Sequence, residues 1–410
     1  MLISLVNFQS RILLSKAVAI ATAALLAACG GGSDKHHPGP PPPPPPPPPP
    51  AGVMYDVIQI IEDPTAFIRV TPKGINQFDQ VTGLVAAPEG TNRAFLYNGT
   101  RTIDLGDFGG GHSQAFAINR CGHVAGWSLA PGGGDIAQAF LYDGTLRNIG
   151  TPGRFSQAYA LNDCDQVVGA ASFGGASHAF FYDDGVMRDL GTLGGARSEA
   201  QDINAAGVVT GSALVPDNNF HAFIYDSRTN AGMQDLGTLG GARSFGYAIN
   251  DAGQVAGWTE NEDGLQRAFR YSGGVMQDLG TLEGHNVSFG FEINDAGFVV
   301  GFSDSTLPGG RPQRGFMHDG VRMHEISLPG NRFSEAVAIN AGGQVVGSAT
   351  FFDGSLRALS WTLAQGAVDL NTRLYSPPPG LVLLRALAIN DRGSIVVASN
   401  NGLVLLRVRR

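Results

Sequence analysis

From residue 75 onward one phrase recurs eight times, Ile-Asn-x-x-x-x-Val-x-Gly, the last copy ending Ile395-Val396-Val397. Its copies begin at Ile75, Ile118, Leu161, Ile203, Ile249, Ile293, Ile339 and Ile389. The spacings are 43, 43, 42, 46, 44, 46 and 50 residues. Self-similarity at such a period marks a stack of equivalent supersecondary units rather than one irregular core.

One unit, from Gly240 to Gly280, resolves into four short strands. Ser244–Ile249 alternates and is strand a; Asn250-Asp251-Ala252-Gly253 turns the chain; Gln254–Thr259 is strand b. Asn and Asp bond their own backbone in such turns, and Gly supplies positive φ. A variable loop leads to strand c, Gln266–Tyr271. Ser272-Gly273-Gly274 turns again into strand d, Val275–Leu279. Four strands in about forty residues is the size of a β-propeller blade.

The side chains agree. Strand a carries small residues in pairs: Ala115/Ala117, Ala158/Ala160, Gly246/Ala248 and Ala336/Ala338. Strands near a propeller axis have little room. Strand c carries aromatic pairs two apart: Phe95/Tyr97, Phe140/Tyr142, Phe180/Tyr182, Phe223/Tyr225 and Phe269/Tyr271. Residues two apart share one face of a strand, so each pair is placed to fill the gap between blades.

The two ends complement each other. After Ile389-Asn390 the chain supplies a strand b (Ser394–Ser399) and a strand c (Gly402–Val408), but no strand d. Tyr55–Ile60 stands where a strand d would, and Ala66–Thr71 follows as the first strand a. The expectation is all-β: an eight-bladed β-propeller of four-stranded blades over residues 53–410, closed by an N-terminal strand completing the last blade. Closure removes exposed edges. An open β-solenoid is the alternative, and it leaves the complementary ends unexplained.

The sequences His178-Ala179-Phe180 and His221-Ala222-Phe223, with Asp189–Gly195 and Asp235–Gly241, resemble the bacterial extracellular HAF repeat. The resemblance covers about residues 54–410. Other units read Arg-Ala-Phe (93–95, 267–269), Gln-Ala-Phe (138–140) or Arg-Gly-Phe (314–316), and the last two drift further. It implies an exported repeat protein and no particular activity.

The N-terminus points the same way. Arg11 and Lys16 precede an apolar stretch, Ala17–Ala28, as in an export signal. Leu26-Ala27-Ala28-Cys29-Gly30 resembles the lipobox of bacterial lipoproteins, which implies a signal peptide over 1–28 and a lipid on Cys29. An ordinary secretory signal is the alternative. Gly30 in place of Asp favours the outer membrane, on its periplasmic or cell-surface side. Residues 29–52 are expected to form a stalk. Its eleven prolines, Pro40–Pro50, as polyproline II, extend about 3.1 Å per residue, roughly 34 Å in all.

Composition excludes little else. Lys and Arg number 27 against 35 Asp and Glu, a formal charge of −8, which opposes nucleic-acid binding. The membrane is expected to be a partner only through the N-terminal lipid. Sequence signatures of catalysis, metal sites or cofactors are missing: no Gly-x-Ser-x-Gly, His-Glu-x-x-His, phosphate loop or Cys-x-x-Cys occurs. No catalytic residue, metal ligand or cofactor is therefore nominated, and an enzyme is the less favoured reading.

Binding is expected at the end of the blades that holds the b–c and d–a connections, whose lengths vary. The d–a connections carry Arg154, Arg197, Arg243 and Arg332, with His112 and Asn286 in similar places. A ring of Arg there suits carboxylate or sulfate groups, hence an acidic polysaccharide. The plainer reading pairs these Arg with the recurring Asp104, Asp189, Asp235 and Asp278. His178 and His221 are repeat-equivalent, which favours packing over catalysis. Cys121 and Cys164 share one repeat position, which suggests a disulfide between adjacent blades. Three functions remain open: a surface-tethered binding or adhesion module, an envelope scaffold docking other proteins, and a carbohydrate-active enzyme.

Overall fold

A computed structural model describes residues 52–62, 70–86, 90–132, 136–229 and 231–409. The expected signal peptide, Cys29 and the polyproline run lie outside them. Eight four-stranded antiparallel sheets follow one another around an axis, each in the order a-b-c-d from the inside out. Blade 1 is Val70–Ile75, Val81–Ala86, Asn92–Tyr97 and Thr102–Gly106. Blade 5 is Gly240–Ile249, Val255–Asn261, Gln266–Ser272 and Val275–Asp278. Blade 8 is Leu383–Ile389, Ile395–Ser399, Gly402–Val408 and, as its fourth strand, Tyr55–Glu62. The N-terminal strand thus closes the ring, in register from Tyr55 opposite Val408 to Glu62 opposite Gly402.

The first strand a lies later than Ala66–Thr71, at Val70–Ile75, and residues 66–69 are outside the described set. Pro72 and Gly74 read as breakers. In the strand they flank a register shift, where one unpaired residue absorbs them. The same bulge recurs in strand a of the other blades, between Ala158 and Ala160 and between Gly246 and Ala248, for example. The bulge presses strand a against strand b, and this explains the Gly of the repeat. A Cβ on Gly126, Gly169, Gly211, Gly257, Gly301 or Gly347 would overlap the backbone oxygen of Gln114, Gln157, Glu199, Phe245, Phe289 or Glu335.

The recurring Asn does more than turn the chain. In each a–b turn its Oδ1 accepts a backbone N–H four residues on: Asn162 from Gln166, Asn250 from Gln254. Its Nδ2 donates to the backbone oxygen of the equivalent Asn in the next blade. The chain of donors runs Asn76, Asn119, Asn162, Asn204, Asn250, Asn294, Asn340, Asn390 and back to Asn76, at 2.9–3.2 Å. Eight side chains therefore form a closed belt around one mouth of the axis. Each bond is worth about 1 kcal/mol net, and none forms unless neighbouring blades are docked.

The Ser of strand a makes a second inter-blade clasp. Ser198 Oγ accepts the N–H of Ala179 in the preceding blade (2.8 Å) and donates to Gly191 O (2.5 Å). Ser113, Ser244, Ser288 and Ser334 repeat both contacts. Between blades, Phe95, Phe140, Phe180, Phe223, Phe269 and Phe316 are fully buried. Their Tyr partners are buried or half-buried.

The HAF and Asp-Leu-Gly segments are one device. Phe180 stands opposite Asp189 on strands c and d, so His178 Nδ1 reaches the Asp189 carboxylate at 2.9 Å; His221 and Asp235 do the same. Where Arg replaces His, Arg267 meets Asp278 and Arg357 meets Asp369. Oδ1 of the same Asp accepts the N–H two residues on, at Gly191 and Gly237. The two His are thus hydrogen-bond partners of the turn Asp, not merely packing residues.

Cys164 carries a free, exposed thiol, so the expected Cys121–Cys164 disulfide is not formed. Equivalence in the repeat gives two residues the same height, not contact. The two turns are joined by flanking residues instead: Arg120 N–H to Asp163 at 2.8 Å, and Asn119 and His123 to Asp165 at 2.8 Å. Burial, then Asp163, Asp183 and Asp165, push the Cys164 thiol pKa up. The thiolate is the reactive form, so iodoacetamide should label Cys164 more slowly at pH 8 than a free cysteine. Asp163→Asn should speed it, with mass mapping locating the label. Equal rates in wild type and variant would contradict this electrostatic account.

Candidate functional site at the axial mouth

Antiparallel order puts the a–b and c–d turns at one end of every blade and the b–c and d–a connections at the other. A pocket lies on the axis at the a–b end, not among the variable loops. Its wall is the Asn belt, with Asp163, Asp202, Asp251, Glu292 and Asp295 among the lining residues. The sequence gives these acids the look of turn residues, because four of the units place Asp directly after the belt Asn: Asp163, Asp251, Asp295 and Asp391.

Each of those four accepts a backbone N–H from the preceding blade. Asp163 takes that of Arg120, Asp251 that of Ala205, Asp295 that of Asp251, and Asp391 that of Ala341, at 2.8–3.1 Å. One level deeper, Asp202 occupies a bulge and bridges Ile203 N–H (2.8 Å) and Ile249 N–H (3.1 Å). Burial pushes the Asp251 carboxyl above its usual range, and the charges of Asp295, Asp163 and Asp202 push it further. Asp391 is raised by burial and by Asp295. The mouth gathers carboxylates at a cost that like charges close together always carry.

Below the mouth, strand a turns alternate residues toward the axis. Four residues before each repeat Ile or Leu stand Gln114, Gln157, Glu199, Phe245, Phe289, Glu335 and Arg385; two before stand Phe116, Tyr159, Gln201, Tyr247, Phe291, Val337 and Leu387. Rings of neighbouring blades meet there, Phe116 edge-on to Tyr159 at 5.6 Å and Tyr247 to Phe291 at 6.5 Å.

The expected Arg set sits at the opposite end, and its members keep different company. Arg243 is paired with Glu260, its Nε 3.0 Å from Oε1. Arg332 lies over the Phe333 ring at 4.7 Å. Asn286 is held by Thr306, and His112 Nδ1 accepts the N–H of Asn92. Arg154 and Arg197 are exposed, and among the described residues no ion pair engages them. Pairing with the recurring Asp does not occur: Asp189 and Asp235 are taken by His, Asp278 by Arg267. The variable connections are themselves tight, as in Asn261, whose Oδ1 accepts Asp263 and Leu265 N–H. The longest, after Asp369, starts with a 3-10 turn, Leu370–Arg373, and is bonded to the closing strand through Tyr375 N–H and Tyr55 O.

Exposed apolar side chains fall at both ends. Val186, Val275, Val321 and Leu363 follow c–d turns, while Ile136, Leu307, Phe352, Tyr375 and Val382 belong to the other end. They do not form a single docking rim. Among the described residues no group of three or more His, Cys, Asp or Glu is arranged to hold a metal ion, and no helix is long and apolar enough to cross a membrane.

No family model and no curated protein matches the chain. Solved structures similar to it include the β-propeller domain of the Trilobed protease from Pyrococcus furiosus, 11% identical, covering 79% of this chain and 100% of that one, TM-score 0.48. A puromycin-hydrolyzing peptidase of Mycobacterium tuberculosis is 12% identical over 84% and 60% of the two chains, TM-score 0.47. TolB from Acinetobacter baumannii is 13% identical over 60% and 62%, TM-score 0.37. This chain thus spans about three-fifths of the TolB and peptidase chains that it matches. With TM-scores below 0.5 these likenesses carry no argument about activity.

Proposed function

We propose that this protein is an exported, lipid-anchored binding module of the outer membrane, and that it takes its ligand at the axial mouth on the a–b end. The observation that carries the reading is the pocket whose lining sets Asp163, Asp202, Asp251, Glu292 and Asp295 against one base, Arg120. Most other recurring side chains are spent on holding blades together. A pocket that crowds carboxylates favours a ligand presenting positive charge, because a cation relieves the repulsion that adds to burial in raising Asp251. The lipobox at Cys29 and the polyproline stalk support the anchored, envelope location.

The test is thermal stability of the full-length protein with spermidine as probe. A ligand at a hundred times its dissociation constant adds about 2.7 kcal/mol, so the melting temperature should rise. Asp251→Asn keeps an acceptor for Ala205 N–H and removes only charge; it should fold normally and respond less. No shift with spermidine in the wild type would sink the reading.

A second reading has one observation behind it. Arg154 and Arg197 are exposed at the opposite end without an ion pair among the described residues, which suits an acidic polysaccharide. Alginate oligomers should then raise the melting temperature, and an Arg154→Ala/Arg197→Ala variant should lose that rise. An envelope protein as partner, the scaffold reading, draws less support from apolar side chains divided between both ends.

A further inference from the structure

Inside the channel, at the level four residues before each repeat Ile or Leu, the lining is divided by chemistry. One side is aromatic. Phe245 stacks on Trp258 with centroids 4.7 Å apart and an interplanar angle of 25°; Trp258 meets Phe289 at 5.7 Å, and Phe289 meets Phe302 at 5.0 Å. Phe245, Phe289 and Phe302 are only half-buried, so this wall keeps accessible surface rather than closing into a core. Trp258 Nε1 is fixed by the Tyr247 hydroxyl at 2.9 Å.

The other side is polar. Gln114, Gln157, Glu199, Glu335 and Arg385 hold the same level on the remaining blades and are also half-buried. Burial pushes the Glu199 carboxyl up, and Ser348 Oγ donates to Glu335 at 2.8 Å. Two groups at this level have no partner among the described residues: Arg385 Nε and Ser212 Oγ, the latter on a residue 1% exposed. Ser212 stands opposite Glu199 in the sheet, so both side chains leave the same face. A buried polar group without a partner costs about 1–3 kcal/mol, and in a native fold it needs a reason.

A ligand that meets this lining needs a flat apolar face and a polar edge at once. A pyranose ring has both: C–H bonds on its faces and hydroxyls around its rim. Its C–H faces suit the negative faces of aromatic rings, while its hydroxyls both donate and accept, as Glu, Gln, Ser and Arg require. Uronate and sulfated sugars are disfavoured, because Glu199, Glu335, Asp202 and Glu292 outnumber Arg385 and Arg120. Resting on the reading of the acidic mouth as the entry site, we infer that the channel takes a saccharide chain bearing free amino groups. Its ammonium groups face the mouth carboxylates, and a sugar ring stacks on the Phe245–Trp258–Phe289 wall.

The test uses full-length protein and tryptophan fluorescence, since Trp258 belongs to the wall. Glucosamine oligomers, their fully N-acetylated counterparts and spermidine are titrated against the wild type, Phe245→Ala and Glu199→Gln. Glucosamine oligomers should change the emission and bind at least tenfold tighter than either the acetylated oligomers or spermidine. Phe245→Ala should weaken them tenfold or more while leaving spermidine binding unchanged. If Phe245→Ala does not fold, Glu199→Gln, which keeps shape and loses charge, should still weaken oligomer binding several-fold. Spermidine binding with no preference for glucosamine oligomers, or oligomer binding untouched by both variants, overturns the saccharide inference and leaves the mouth reading standing. Binding of neither probe overturns both.

Discussion

Deleting residues 53–62 while keeping residues 1–52 should abolish the monomeric fold. That segment is the fourth strand of the last blade, paired along its length with Gly402–Val408. Its loss bares Leu403 and Leu405, which are fully buried, and removes Ile60, part of the same apolar cluster. Each large aliphatic side chain withdrawn from such a cluster costs about 1.5–3 kcal/mol. Lost with it are Gln344 Nε2 to the Tyr55 hydroxyl, Thr102 Oγ1 to Ile60 O, and Tyr375 N–H to Tyr55 O. Summed, these approach the whole stability of an ordinary domain, about 5–15 kcal/mol. The new edge on Gly402–Val408 would also invite pairing between molecules. Size-exclusion chromatography should find aggregate instead of monomer, and a peptide of residues 52–62 added during refolding should restore part of the monomer by strand addition. A deletion variant that stays monomeric with an unchanged melting temperature would mean that the ring is held without its closing strand.

This closure was legible because it rests on counting: a unit with three strands at one end and a spare strand at the other. The blade itself was legible for a similar reason, since period-two alternation and turn residues are local signals. What the sequence hides is whatever depends on the angle between blades. Asn250 reads as a turn former and is one, but its Nδ2 bond to Asn294 exists only because blade 6 stands beside blade 5. Asp251 and Asp295 likewise read as turn residues, and only the ring brings them to one pocket. The same limit bears on the other repeat-position readings. Cys121 and Cys164 share a repeat position, yet Cys164 keeps a free thiol. The Arg residues share a repeat position, yet Glu260 occurs beside Arg243 alone and divides the set. The aromatic side of the channel lay in plain view at Phe245, Trp258 and Phe289, but nothing local says that these rings face an axis.

The repeat Gly gives the sharpest test of why the nine-residue phrase persists. Gly257→Ala should destabilise the protein by roughly 3 kcal/mol or more, at or beyond the upper end of the usual 1–3 kcal/mol for overpacking. The added methyl would run into the Phe245 carbonyl, oxygen and carbon alike, and the Phe269 ring stands just beyond at 3.0 Å. Neither neighbour can move aside. Phe245 belongs to the bulged strand a, whose register shifts between Gly246 and Ala248, and Phe269 is fully buried between blades. Gly253 makes the control, for it fails for a different reason. Its φ is +75°, but a Cβ there has nothing within 4 Å, so Gly253→Ala should cost only the backbone strain of about 1–2 kcal/mol. Equilibrium urea unfolding followed by circular dichroism would rank the two. The eighth blade already tolerates Val397 at the equivalent place, opposite Ala386, so the crowding belongs to the local bulge geometry and not to the position as such. If Gly257→Ala lost no more than Gly253→Ala, blade 5 would share the slack of blade 8, and the Gly of the repeat would be a matter of turn-side flexibility rather than of close approach between strands a and b.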